Sequence, residues 1–163
     1  MRPETAKPGI DVARSRAYAS RRTWLPKPPK GWRLETQQTD VRGEWLRPST
    51  PPRATILYFH GGGYYFCSPQ SHRAITFGLA KRAQASVLSL DYRLAPEQRF
   101  PAAVEDAVAA YRALLAAGTA PTTIVIGGDS AGAAGSRSRR FSPCAMRTIR
   151  CPPARFCFRP GRI

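Results

Sequence analysis

Histidine is scarce in this chain: His60 and His72 are the only two in 163 residues, and no aspartate or glutamate follows Asp129. No run of about 18 apolar residues occurs, which excludes an ordinary transmembrane helix. The first 30 residues carry Arg and Pro without an apolar core of the kind a secretory signal needs, so a cytoplasmic location is expected. Neither G-x-x-x-x-G-K-[ST] nor G-x-G-x-x-G is present, which argues against a phosphate or dinucleotide loop. Cysteine is sparse as well. Cys144, Cys151 and Cys157 are separated by 6 and 5 residues, which is not a zinc spacing, and with Cys67 they give no reason to infer disulfides. No metal and no cofactor is expected, and the sequence assigns no oligomeric state.

What is present is an ordinary apolar fraction of 42% with 10% aromatics, enough for a folded core rather than a disordered tail. The length suits about one domain, on a usual range of roughly 100–200 residues. The formal charge of +16 suggests a nucleic-acid binder until it is divided along the chain. Residues 1–135 hold 18 Lys and Arg with all 10 acids, whereas residues 136–163 hold 8 Arg, no acid and three of the 4 cysteines. The chain is therefore expected to divide into three: a basic N-terminal segment with the first strands over 1–50, a core over 51–135, and an aberrant Arg/Cys/Pro-rich tail over 136–163 that is expected to be disordered. A basic nucleic-acid-binding module that uses this tail is the alternative function.

Periodicity predicts the elements of the core. Asp11 to Arg22 reads as a short helix behind an aspartate cap. Arg33–Asp40 and Val41–Leu46 read as two strands around a turn. Ala54–Phe59, Ser86–Leu90 and Thr122–Ile126 are short apolar, β-prone runs that suit strands buried on both faces. Between them, Ser71–Gln84 has helical spacing. Pro101 suits a first helical position, Val104, Ala107, Val108, Tyr111, Leu114 and Leu115 follow as an apolar stripe, and Gly118 provides the stop. Strand–helix–strand–helix–strand predicts an α/β fold with a mostly parallel sheet and helices on both faces. In such sheets, ligands bind beyond the carboxyl ends of the strands.

Two Gly-rich turns fall at those ends. Gly128-Asp129-Ser130-Ala131-Gly132 fits G-x-S-x-G directly after a predicted strand, a turn that strains the backbone at the serine and presents its hydroxyl at a helix N-terminus. Backbone N–H groups there favour a developing oxyanion. His60-Gly61-Gly62-Gly63 also follows a strand, and consecutive glycines let the backbone bring N–H groups close to a substrate carbonyl.

With Asp91-Tyr92-Arg93-Leu94-Ala95-Pro96-Glu97 between these two motifs, the segment from about Ala54 to Gly132 resembles the hormone-sensitive-lipase-like family of α/β-hydrolase carboxylesterases. The resemblance covers about half of the chain. It implies a carboxylic ester hydrolase acting on a small-molecule acyl ester, with Ser130 as nucleophile and the N–H groups of Gly62, Gly63 and Ala131 as oxyanion hole. It makes His60, Gly61, Gly128, Asp129 and Gly132 supporting residues, with His60 structural rather than the catalytic base. Asp91 to Glu97 would brace the site, the N-terminal segment would cap an acyl pocket, and Tyr64, Tyr65 and Phe66 could line that pocket or pack in the core.

The same resemblance exposes a gap. A nucleophilic serine needs a base, and that base needs a carboxylate to orient it. In α/β-hydrolases both follow the serine. Here neither does, so the chain is expected to be truncated after the nucleophile turn and inactive or nearly so. The tail suggests a reason. If one base is missing near codon 136, in the gene or in its reading, the Phe, Cys and Ser codons of the tail stand where apolar residues were. Ser138, Phe141 and Ser142 then mark a helix stripe, and Phe156-Cys157-Phe158 a buried strand. Restoring one C, with free third bases chosen, gives LALATLLALRDADYPLPAGAVLLSP after Gly135.

Overall fold

The computed structural model describes residue 9, residues 11–20 and residues 25–132. The tail at 136–163, its shifted-frame helix and strand, and the nucleic-acid module built on it lie outside the described residues. Among the described residues, the helices α1 (Val12–Ser20), α2 (Arg73–Ala83) and α3 (Ala102–Ala116) accompany the strands β1 (Trp32–Gln38), β2 (Arg42–Pro48), β3 (Thr55–Phe59), β4 (Ser86–Leu90) and β5 (Ile124–Gly128). The strands form one sheet in the order β1-β2-β4-β3-β5. β4, β3 and β5 are parallel, while β2 runs antiparallel to both β1 and β4. The two N-terminal strands thus extend the same sheet that carries the parallel core.

The sheet divides the core into two layers by simple alternation along the strands. Leu57, Phe59, Leu88 and Leu90 face α3 and pack with its Val104, Ala107, Tyr111 and Leu114. Ile56, Tyr58 and Val87 point the other way, with Leu46, and meet Phe77 and Ala80 of α2. Each fully buried leucine, such as Leu57 or Leu88, contributes about 1.5–3 kcal/mol over its exposed state. The helices lie on opposite faces for a topological reason. The β3–β4 and β4–β5 connections cross the sheet in opposite directions, and right-handed crossovers then place their helices on opposite sides.

Several boundaries differ from the sequence expectation. The strand expected from Thr122 begins at Ile124, because Pro121–Thr123 forms a 3-10 turn that Pro121, lacking an N–H and fixed in φ, readily starts. β5 also runs on through Gly127 and Gly128, which pair with Tyr58 and Phe59 although glycine has low strand preference. Only Ile124 of β5 is buried, and the rest are half-buried, because β5 is bordered among the described residues by β3 alone. Pro101 is the residue before α3 rather than its first helical position. The aspartate cap of α1 forms as expected, with the Arg14 N–H donating to Asp11 Oδ1 at 2.8 Å.

Candidate active site

The carboxyl ends of β3 and β5 are adjacent, so the chain that leaves them is brought together there: His60–Gly63 from one, Asp129–Gly132 from the other. Phe59 and Gly128 are register partners, and the Asp129 N–H points to the Phe59 carbonyl at 3.4 Å. Ser130 follows with φ +49, a left-handed conformation rarely adopted outside glycine and asparagine. The helix that follows starts at Ser130, which is exposed, whereas Gly132 behind it is buried. A Cβ at Gly132 would strike the Phe59 carbonyl, so the turn sits hard against the end of β3.

The glycine run after His60 is shaped by two demands. Gly61 lies so close to the serine turn that an added Cβ would collide with the Asp129 carboxylate and come within 3.2 Å of Ser130 Cβ. Gly62 has φ +112, and its carbonyl accepts the N–H groups of both Tyr65 and Phe66 at 3.1 Å, which curls the loop back on itself. Gly63 continues in the left-handed region at φ +59 and is exposed. Tyr64 then spans the two turns: its hydroxyl donates to the Ala131 carbonyl at 2.6 Å. The sequence-predicted residues therefore share one site, with Ser130 and Gly63 at the surface and His60, Gly61 and Gly132 beneath.

Asp129 is the hub of this arrangement. Its Oδ1 accepts the Tyr58 hydroxyl at 2.7 Å and the Gly61 N–H at 2.9 Å, and its Oδ2 lies 3.4 Å from His72 Nε2. Burial, reinforced by that bond to Asp129, pushes the Tyr58 hydroxyl pKa above its ordinary value, so Tyr58 remains a donor. His72 Nδ1 in turn sits 2.8 Å from the Ser71 hydroxyl, which holds the ring in place.

His60 is fully buried and cannot serve the exposed Ser130 as a solvent-equilibrated base. Its Nδ1 lies 2.7 Å from the Gly61 carbonyl, its ring stacks on Tyr92 at a centroid distance of 4.3 Å, and the Tyr92 hydroxyl donates to its carbonyl at 2.6 Å. Burial lowers the imidazole to about 4, which keeps it neutral near pH 7. The segment that contains Tyr92 is itself tied down. Arg93 donates from its backbone N–H and Nε to the two carboxylate oxygens of Asp106, each at 2.8 Å, and from Nη2 to Glu105 at 3.0 Å.

Tyr64 lines a cavity of about 20 Å³ with Phe59, Tyr92, Val104 and Gly132, whereas Phe66 lines an open cleft of about 560 Å³ with Tyr18, His72 and Ile75. Tyr65 stacks at a tilt beside Phe66, with ring centroids 4.9 Å apart. Sequence reasoning did not single out Tyr58 or His72. A tyrosine within a buried strand and a histidine before a helix look like packing residues until the partner, 57 to 71 positions away, is known. Among the described residues, no group of three His, Cys, Asp or Glu side chains is placed to hold a metal ion, and no helix is long and apolar enough to cross a membrane.

Comparison with known proteins places this geometry. Residues 56–135 match a family described as having the alpha/beta hydrolase fold. An acetyl-hydrolase of Streptomyces hygroscopicus is 56% identical over 90 residues, 55% of this chain and 30% of that protein. An esterase of Acinetobacter venetianus is 41% identical over 93 residues, 57% of this chain and 31% of its own length. The crystal structure of an esterase from the bacterial hormone-sensitive lipase family superposes with a TM-score of 0.74 at 38% identity, covering 91% of this chain and 50% of that one. The chain thus spans about a third of these curated relatives and half of the solved esterase.

Proposed function

We propose, from the membership of residues 56–135 in the α/β-hydrolase family of the hormone-sensitive-lipase type, that this chain carries the nucleophile and oxyanion loop of a carboxylic ester hydrolase. One observation carries the reading: the left-handed, exposed Ser130 stands at the start of a helix directly against the His60–Gly63 loop. An ester carbonyl above Ser130 would be attacked by Oγ. The negative charge that develops on the carbonyl oxygen would be stabilised by the N–H groups of Gly62, Gly63 and Ala131. Collapse of the tetrahedral species expels the alcohol and leaves the acyl group on Ser130, and water then releases the acid.

Both proton transfers need a base. His60 is buried and neutral, and His72 is directed to Asp129, so neither is offered to Ser130 in this role. No Asp, Glu or His follows Ser130 in the 163 residues. The reading is therefore of a site that binds an acyl ester and acylates slowly, with turnover far below that of a complete triad.

The test uses a reactive ester and a base supplied from solution. The full chain is incubated with p-nitrophenyl butyrate at increasing imidazole concentration, beside its Ser130→Ala variant. The expected result is an imidazole-dependent release of p-nitrophenolate above that of the variant, with a butyryl adduct located on Ser130 by mass spectrometry. Equal rates for the two folded proteins and no adduct on Ser130 overturn the reading.

A further inference from the structure

β1 closes one side of the sheet: among the described residues its only strand neighbour is β2. An edge that must stay single is ordinarily blunted by proline, by a bulge or by charges of one sign. β1 has none of these. Its seven residues, Trp32-Arg33-Leu34-Glu35-Thr36-Gln37-Gln38, include no proline, pair with β2 without a break in register and carry one charge of each sign. Which backbone groups it presents follows from the ladders behind it. The Asp91 N–H donates to the Arg42 carbonyl at 2.9 Å, so the even-numbered residues of β2 bond to β4. The odd-numbered side bonds to β1, as Ser49 does to the Gly31 carbonyl at 2.9 Å. The register partners there are Arg33, Glu35 and Gln37, so Trp32, Leu34 and Thr36 direct their carbonyls away from the sheet.

The side chains on this edge sort by the same alternation. Trp32 and Leu34 pack against the layer that contains Phe77 and Ala80 of α2. Arg33 and Glu35 lie on the other face, with side chains 81% and 41% exposed. Arg33 is the register partner of Arg47, and Glu35 stands 3.8 Å from each of them, so one carboxylate is shared between two guanidiniums. Like charges directly opposite on neighbouring strands are unfavourable. Arg33 thus meets a like charge on its paired side and lacks a carboxylate of its own on its open side.

We infer that β1 is the interface for a second copy of this chain, whose own β1 adds antiparallel about a two-fold axis at Leu34 and makes one continuous sheet across the pair. Charge selects the register. Pairing centred on Arg33 sets two arginines face to face, and pairing centred on Glu35 sets two glutamates face to face. Centring on Leu34 places Arg33 opposite Glu35 of the second copy, twice by symmetry. It also fits the direction of the backbone groups. Leu34 exchanges both bonds with Leu34 of the second copy, and the Thr36 N–H of each chain meets the Trp32 carbonyl of the other. Trp32 then lies beside Thr36, an aromatic against a β-branched residue. The two charged pairs fall at the non-hydrogen-bonded positions, where antiparallel strands bring side chains closest.

Sedimentation equilibrium of the full chain, alone and in mixtures, tests this. The wild-type chain is expected to dimerise. Arg33→Glu and Glu35→Arg each replace two attractive cross-strand pairs by two repulsive ones, and each is expected to weaken dimerisation by about tenfold or more. Mixed in equal amounts, the two variants set arginines against glutamates and are expected to form a heterodimer, although each alone is monomeric. The double exchange, Arg33→Glu with Glu35→Arg in one chain, is expected to dimerise as the wild type does. A wild-type chain that is monomeric up to its solubility limit overturns the proposal, and so does a dimer that withstands both single reversals. Single variants with the wild-type circular dichroism that stay monomeric when mixed overturn it too. Should a single reversal not fold, the double exchange decides, and its failure to dimerise overturns the pairing of Arg33 with Glu35.

Discussion

The carboxylate of Asp129 accepts the backbone N–H of Gly61 at 2.9 Å, joining two turns that are 68 positions apart in the chain. The same oxygen accepts the buried Tyr58 hydroxyl at 2.7 Å. One side chain thus sets how far the glycine loop stands from Ser130, and it does so with two donors that have been removed from water.

Removing that carboxylate leaves both donors unsatisfied. Asp129→Ala is expected to destabilise the chain by about 3 kcal/mol, since each buried unpaired group costs about 1–3 kcal/mol. Asp129→Asn retains an acceptor oxygen and should cost about 1 kcal/mol. Urea midpoints of the two variants check this, and equal losses would show that charge rather than hydrogen bonding is what the hub supplies.

The buried His60 makes stability depend on pH in a defined direction. Its pKa falls from 6.5 to about 4 on burial, so the unfolded chain binds the extra proton throughout that interval. The stabilisation is complete above pH 6.5 and is lost as pH falls toward 4. Between pH 7.5 and 5 it amounts to about 2 kcal/mol. His60→Asn keeps a donor for the Gly61 carbonyl without the titration. The difference in unfolding free energy between wild type and His60→Asn should therefore shift by that amount across the interval. A constant difference would place the imidazole in contact with solvent.

A buried charge lies beneath α2. Glu44 on β2 is 4% exposed and is met by Arg73, at the start of α2, through Nε at 2.9 Å and Nη2 at 2.6 Å. Arg73→Ala strands the carboxylate and is expected to cost about 3–5 kcal/mol. Replacing both partners, Glu44→Leu with Arg73→Met, should recover most of the loss, because an apolar pair of similar size carries no desolvation penalty. Thermal unfolding of the single and double variants measures the difference.

Much of the site was readable from local text. The three apolar runs, the helical stripe from Val104 to Leu115 and the two Gly-rich turns are each encoded within about 15 residues, where periodicity and turn chemistry act. The strand at 122–126 was misplaced by two residues at either end because its termini depend on neighbours. Pro121 bends the entry, and pairing with Tyr58 and Phe59 carries the strand through two glycines.

The motifs around Ser130 and His60 and the alternation that buries Leu57 on one face and Ile56 on the other were determined by the sequence alone, since each follows from backbone geometry over one turn or one strand. Only the tertiary structure decided that Asp129 would bind Gly61 and Tyr58, that Tyr92 would cover His60, and that Arg16 would clasp Glu97. Those pairs are separated by 32 to 81 positions. No local preference specifies them: they form when parallel pairing of β3 with β4 and β5 brings the strand ends together and burial makes every unpaired polar group costly.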